Sequence, residues 1–252
     1  MGQQVATKTA IPLLASWGWD DRIQAPTSKV IENHKTLQNL RWEAATTIDR
    51  EFKDVLQFVA PSCDNFHCHS SRIAMLFIRT CVEIESCFKS ILSENHVSKN
   101  RQKNISDFSR VELSHSLSRF SARIHGWHQP SFTFLPFQDW TSAVNLADGK
   151  APSPSWYKAY GKVKHNILET HKYGTFENLC HAIAGLHALL VSQFGHDGWG
   201  PNRGSIGFYH APEYECVVGD VVEVRFPPRE ECRIIYDLPK TWDFQIEPFN
   251  YS

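Results

Sequence analysis

The chain has 252 residues, with 26 Lys and Arg against 27 Asp and Glu and a formal net charge of −1. A hydrophobic fraction of 42% is enough to build a core, and 21% charged residues is ordinary, which together exclude wholesale disorder. So small a net charge excludes a global field toward nucleic acid or an anionic membrane, and any polyanion site must be a local patch.

The predicted elements begin after an irregular N-terminal arm, residues 1–33, that holds Trp17, Trp19, Pro12 and Pro26 without periodicity. From about His34, Leu37, Leu40, Ala44, Ile48, Phe52, Val55, Leu56 and Val59 recur at three and four, the pattern of an amphipathic helix that Pro61 stops. A second helix is expected from about Ser70 to Glu94, and its wide apolar face makes it the expected central core helix. Asn104 or Ser106 can cap a third, weaker helix through Phe108, Val111, Leu117 and Phe120. The proline-broken, aromatic stretch from Gly126 to Pro154 reads as a functional loop or an excursion packed on the surface. Pro154 opens a fourth helix over about Ser155–Thr170, and Thr175 caps a fifth that Gly195 ends. Beyond it the period changes. Cys216–Phe226 reads as two strands about a Gly219-Asp220 turn, with further short strands at Cys232–Tyr236 and Trp242–Ile246. The expected organisation is therefore an arm (1–33), a helical domain (34–197) and a small C-terminal β appendage (198–252).

Seven cysteines, an odd number without a disulfide-framework spacing, fit reduced thiols in a cytoplasmic protein. The longest apolar run, Ile73 to Cys81, is broken by Arg79 and is far short of the roughly 20 residues that span a bilayer, so no membrane association is expected. The N-terminus lacks a basic region followed by an apolar stretch, which argues against secretion. Cys63, His67, Cys68 and His69 crowd four potential metal ligands into one short loop. Tetrahedral zinc needs separated ligand pairs, so no metal and no cofactor is expected. His181 and His187, six apart on the fifth helix, fall on different faces.

The informative segment is Ser155-Trp156-Tyr157-Lys158-Ala159-Tyr160-Gly161-Lys162-Val163-Lys164-His165-Asn166. On a helix, Trp156, Tyr160 and Val163 face the core, while Lys158, Lys162 and His165 share the opposite stripe. Two ammonium groups and an imidazole suit a phosphodiester: the cations hold the phosphate and the histidine moves a proton near neutral pH. Lys164 and Asn166 extend the same candidate RNA-binding surface. The plain alternative is a solvated basic helix face. Gly161 lies mid-helix, where it costs up to about 1 kcal/mol relative to Ala, so close approach of a neighbouring helix or of a bound polyanion is expected there.

This segment resembles the Trp-x-x-Tyr-Asn-x-x-Lys-His stretch of HEPN-superfamily helical proteins. Asn65–Ile73 with Cys81–Lys89 is similar to the second helix of such proteins. Pro136-Phe137-x-x-Trp140 resembles the loop before the motif helix, and Thr175–Asn178 with Ala182–Leu186 resembles the helix after it. The resemblance covers about residues 35–195 and implies a mainly α fold, an up-and-down helical bundle. It also implies a metal-independent ribonuclease of toxin–antitoxin, antiphage or RNA-processing type, its site completed in a homodimer, with His165 as general acid or base and Lys158 and Lys162 at the phosphate. The superfamily's catalytic signature is an Arg a few residues before a His. Here the residue seven before His165 is Lys158, which keeps the charge but loses the bidentate fork. Arg110 and His115 have the signature spacing and form a second-choice catalytic pair. Two readings stand: an RNA-cleaving enzyme, and a non-catalytic module that binds RNA, a nucleotide or a protein partner through the same face.

Overall fold

The computed structural model describes residues 5–6, 28–94, 103–145, 152–165, 167–194, 210–211, 214–227 and 246–247. In chain order its elements are β1 (Val5–Ala6), α1 (Ser28–Leu56), α2 (Ser71–Glu94), α3 (Ile105–Phe108), α4 (Glu112–His115), β2 (Ser121–Ile124), α5 (Ser155–His165), α6 (Ile167–Thr170), α7 (Phe176–Phe194), β3 (His210–Ala211), β4 (Tyr214–Val218), β5 (Val222–Arg225) and β6 (Ile246–Glu247). Short 3-10 turns link several of them. The fold is mainly α, as the periodicity predicts, and no helix among the described residues is long and apolar enough to cross a membrane.

The centre of the molecule is α7. Every residue from Ala182 to Gln193 is buried, and Ala182, Ala184, Gly185 and Ala188 let neighbours approach on all sides. A helix apolar all round has to be enclosed. Helices α1, α2 and α5 pack on it, and so do strands β2 and β5. Thr175 caps it as expected, its Oγ1 accepting from the Asn178 amide at 3.3 Å. The central role expected of the second helix thus falls to α7, because α2 keeps an outer side where Met75 and Val82 are exposed.

The first two helices form an antiparallel pair. Ala45, Ile48, Phe52 and Val55 line one side of α1, and Ile73, Phe77, Ile84, Phe88 and Ile91 the facing core of α2. Each such side chain removed from water contributes about 1.5–3 kcal/mol. Register is set by polar bridges. Arg41 donates to Glu83 at 2.6 Å and to the Ser86 hydroxyl at 2.8 Å. His187 Nε2 and Asp49 Oδ1, both buried, meet at 2.8 Å and tie α1 to α7. The first helix starts at Ser28, earlier than His34, so the expected arm loses its last residues to it; most of that arm lies outside the described residues.

The third predicted helix is broken into pieces. Asn104 does cap it, in a reciprocal capping box with Asp107. The helical run ends at His115 because Ser116 takes a left-handed conformation, φ 49°. That backbone is strained for a residue with a side chain. The buried Glu112 carboxylate holds the break by accepting from the Ser118 amide at 2.8 Å and its hydroxyl at 2.6 Å. The chain then leaves as β2, whose short polar–apolar alternation over Ser121-Ala122-Arg123-Ile124 the helical reading passed over. The proline-broken stretch after it is no surface excursion. Phe134, Phe137 and Trp140 are buried, with Phe137 stacked on Trp140 at 4.8 Å.

The predicted hairpin forms as β4 and β5, closed by the Gly219 amide donating to the Val222 carbonyl at 2.9 Å. Its partner comes from inside the helical region. β5 pairs antiparallel with β2, Ser121 opposite Arg225 and Ile124 opposite Val222, giving the strand order β2-β5-β4-β3. Val221, Val222 and Val224 join the same core as the helices. Hydrogen bonds and core therefore run across residue 198. The last predicted strand is present at its end as β6, parallel to β1, whereas Cys232–Tyr236 lies outside the described residues.

One packing contact tolerates no added atom. Gly174, buried between a 3-10 turn at His171–Tyr173 and α7, faces the first turn of α2; a Cβ there would sit 2.7 Å from Ala74 Cβ and 2.9 Å from Ala74 Cα. Gly174→Ala is expected to destabilise the protein by about 1–3 kcal/mol, the usual range for overpacking. Urea unfolding checks this, and an unmoved midpoint would mean that α2 shifts freely against the turn.

Candidate functional site

Helix α5 is held by its apolar side. Trp156, Ala159, Tyr160 and Val163 are buried, and the Trp156 indole donates to the Pro136 carbonyl at 2.8 Å. Its other side carries Lys158, Lys162, Lys164 and His165, all exposed. Lys158, Lys162 and His165 thus share one accessible stripe, as the helical spacing predicts. Asn166 lies outside the described residues. Among the described residues the side chains of Lys158 and His165 make no hydrogen bond or ion pair, and Lys162 Nζ lies 4.2 Å above the Tyr173 ring. Lys172 Nζ lies 5.6 Å from the same ring, so the row of cations continues past α5.

Lys164 is drawn out of that row by a carboxylate that sequence reasoning passed over. Glu85 of α2, only 8% exposed, receives the Tyr157 hydroxyl at 2.8 Å, Lys89 at 3.1 Å and Lys164 at 3.4 Å. Lys164 Nζ also sits 5.0 Å from the Tyr160 ring. Burial alone would raise the Glu85 carboxyl; the Tyr157 hydroxyl and the two ammonium groups outweigh it and hold the group below its ordinary value. Burial and the adjacent carboxylate push the Tyr157 phenol upward. The signal available in sequence was Glu85 four residues before Lys89, an ordinary helix pair. Nothing local announced Tyr157 and Lys164 as its further partners.

Gly161 departs from expectation. Among the described residues a Cβ built there meets nothing within 4 Å, so no described helix explains the glycine. It leaves bare backbone in the middle of the basic face.

The second-choice pair is placed elsewhere. His115 is 0% exposed, and burial drives its imidazole down to about 3. Its Nδ1 lies 2.7 Å from the Ser114 hydroxyl, while Nε2 meets no hydrogen-bond partner among the described residues. A neutral imidazole sealed in the core cannot reach a polymer substrate, and Arg110 is only half-buried beside it. His181 is likewise held neutral by burial, at about 4, edge-on to Phe134 with centroids 5.2 Å apart. His187, on the same helix, instead faces Asp49 of α1.

Among the described residues no group of three or more His, Cys, Asp and Glu stands where it could hold a metal ion. His67, Cys68 and His69 are exposed in the loop before α2. Cys81, Cys87 and Cys180 are free and buried, and burial raises their thiols, Cys87 to about 12. They are not nucleophiles near neutral pH.

Two measurements follow from this geometry. Gly161→Ala is expected to stabilise the protein by about 0.4–1 kcal/mol in urea unfolding, since the helix gains propensity and nothing clashes; destabilisation would reveal an unseen neighbour. Glu85 carries a depressed folded-state value, so its contribution is present above the unfolded value of about 4.3 and is lost as pH falls through the folded one. Stability measured from pH 6 down to pH 3 should therefore drop more steeply in the parent than in Glu85→Gln, and parallel curves would remove Glu85 from the account. Comparison of the chain with protein-family models, with curated proteins and with solved structures finds no match, so its own residues are what bears on function.

Proposed function

We propose that the outer face of α5 is a phosphate-binding surface and that the protein acts on RNA. One observation carries the reading. Lys158 and His165 project from a helix whose opposite face is buried, and among the described residues no acidic side chain pairs with either of them. A solvated face held by structural ion pairs would look like Lys164, which is paired; Lys158 is left for a phosphate and His165 for proton transfer. Lys162 and Lys172, both leaning on Tyr173, add cations and an aromatic surface next to the same stripe. Phosphates and unstacked bases use such a combination.

The binding reading is favoured over a self-sufficient catalytic one. A general base is usually oriented by a second group, and His165 has no such partner among the described residues. The ribonuclease reading draws support from Gly161. Its bare backbone gives a second copy of the chain room to approach the basic face closely, and a homodimer formed there would bring two His165 side chains to one site.

The test is binding of a labelled single-stranded RNA to the purified chain in EDTA at several salt concentrations, with fragment ends analysed in parallel. The double variant Lys158→Ala, Lys162→Ala should lose affinity and lower the slope of log affinity against log salt by about 1.4, two contacts at about 0.7 each. His165→Ala should leave affinity nearly unchanged, and any cleavage should vanish with it while thermal stability holds. No affinity in the parent, or a double variant that binds like the parent, rejects the proposal.

A further inference from the structure

His69 and His171 are 102 residues apart in the chain, and the fold sets their rings 5.7 Å apart, centroid to centroid, tilted by 46°. Both are exposed. The approach is built by backbone. The Phe176 amide donates to the Cys68 carbonyl at 2.7 Å and the Glu177 amide to the Phe66 carbonyl at 3.2 Å, while His69 bridges Thr175 in antiparallel fashion. On the other side the Gly174 amide donates to the His171 carbonyl at 2.8 Å, and Gly174 rests directly on Ala74. These backbone contacts fix where the two residues sit, and the fold thereby brings two exposed imidazoles from distant parts of the chain to one place.

We propose that this pair chelates a late first-row divalent cation such as Ni²⁺, Zn²⁺ or Cu²⁺, with solvent completing the coordination. Metal–imidazole bonds of about 2.0–2.1 Å put two rings on one ion with centres about 5–6 Å apart, the separation found here. Imidazole is the ligand these ions share, and Mg²⁺ and Ca²⁺, which want oxygen, are not served by it. The His69 Nδ1 lies 3.4 Å from the His67 carbonyl. With that nitrogen as donor, Nε2 keeps its lone pair, the arrangement by which ligating histidines are usually oriented. Two imidazoles make an open site and no closed tetrahedron. It departs from the expectation of no metal in this loop, because the second ligand comes from the turn before α7, far away in the sequence. The proposal is independent of the RNA reading.

The measurement is calorimetric titration of the metal-stripped full chain with NiCl₂, repeated with ZnCl₂ and MgCl₂. Saturable Ni²⁺ binding is expected, weakened at least tenfold in His69→Ala and equally in His171→Ala, with His165→Ala unchanged and Mg²⁺ not bound. The ion links the loop before α2 to the turn before α7, so Ni²⁺ should also raise the thermal midpoint of the parent and not that of either variant. Both side chains are exposed, and unchanged metal-free midpoints confirm that the variants fold. No saturable Ni²⁺ binding in the parent, or His171→Ala binding as the parent does, overturns the proposal.

Discussion

A helix with no polar side cannot lie on a surface, and α7 is such a helix from Ala182 to Gln193. Leaving any face wet would forfeit the burial of several large side chains, each contributing about 1.5–3 kcal/mol. The rest of the described structure follows from enclosing it. Helices α1, α2 and α5 cover part of its circumference, and β2 with β5 covers another part. This is why a strand appears in the middle of a helical region: the chain breaks at Ser116 and turns extended, and β5 comes back from about a hundred residues further on to pair with it. The buried His187–Asp49 contact fixes α1 within the enclosure, since removing either partner would strand the other in the core.

The electrostatics of α5 are governed by one carboxylate. Glu85 reaches the surface edge of α2 and gathers Tyr157, Lys89 and Lys164. It thereby anchors the first turn and the last turn of α5 to the same point. Lys164 is spent in this anchoring, and Lys158 and His165 on the far side of the bare Gly161 are not. A basic segment that is uniform in sequence becomes, in three dimensions, a structural half and an accessible half.

Histidine shows how strongly environment decides chemistry. His115 and His181 are driven down to about 3 and about 4 by burial and serve as polar members of the core. His165 is exposed at the end of α5, and the rings of His69 and His171 lie beside each other. The same side chain is packing material, candidate proton carrier and candidate ligand, according to what surrounds it.

What the sequence determined by itself is the local order. The recurrence at three and four that marks α2, α5 and α7, the caps at Asn104 and Thr175, and the Gly219-Asp220 hairpin depend on atoms a few residues apart, so they are legible along the chain. The buried and exposed stripes of α5 were legible for the same reason. Tertiary structure alone decided which apolar helix is central, where β2 finds its partner, and that His115 is sealed away. It alone brought Lys164 to Glu85 and His171 to His69. Those outcomes depend on which surfaces compete to cover α7, and that competition is among residues distant in sequence, whose spacing carries no record of who meets whom.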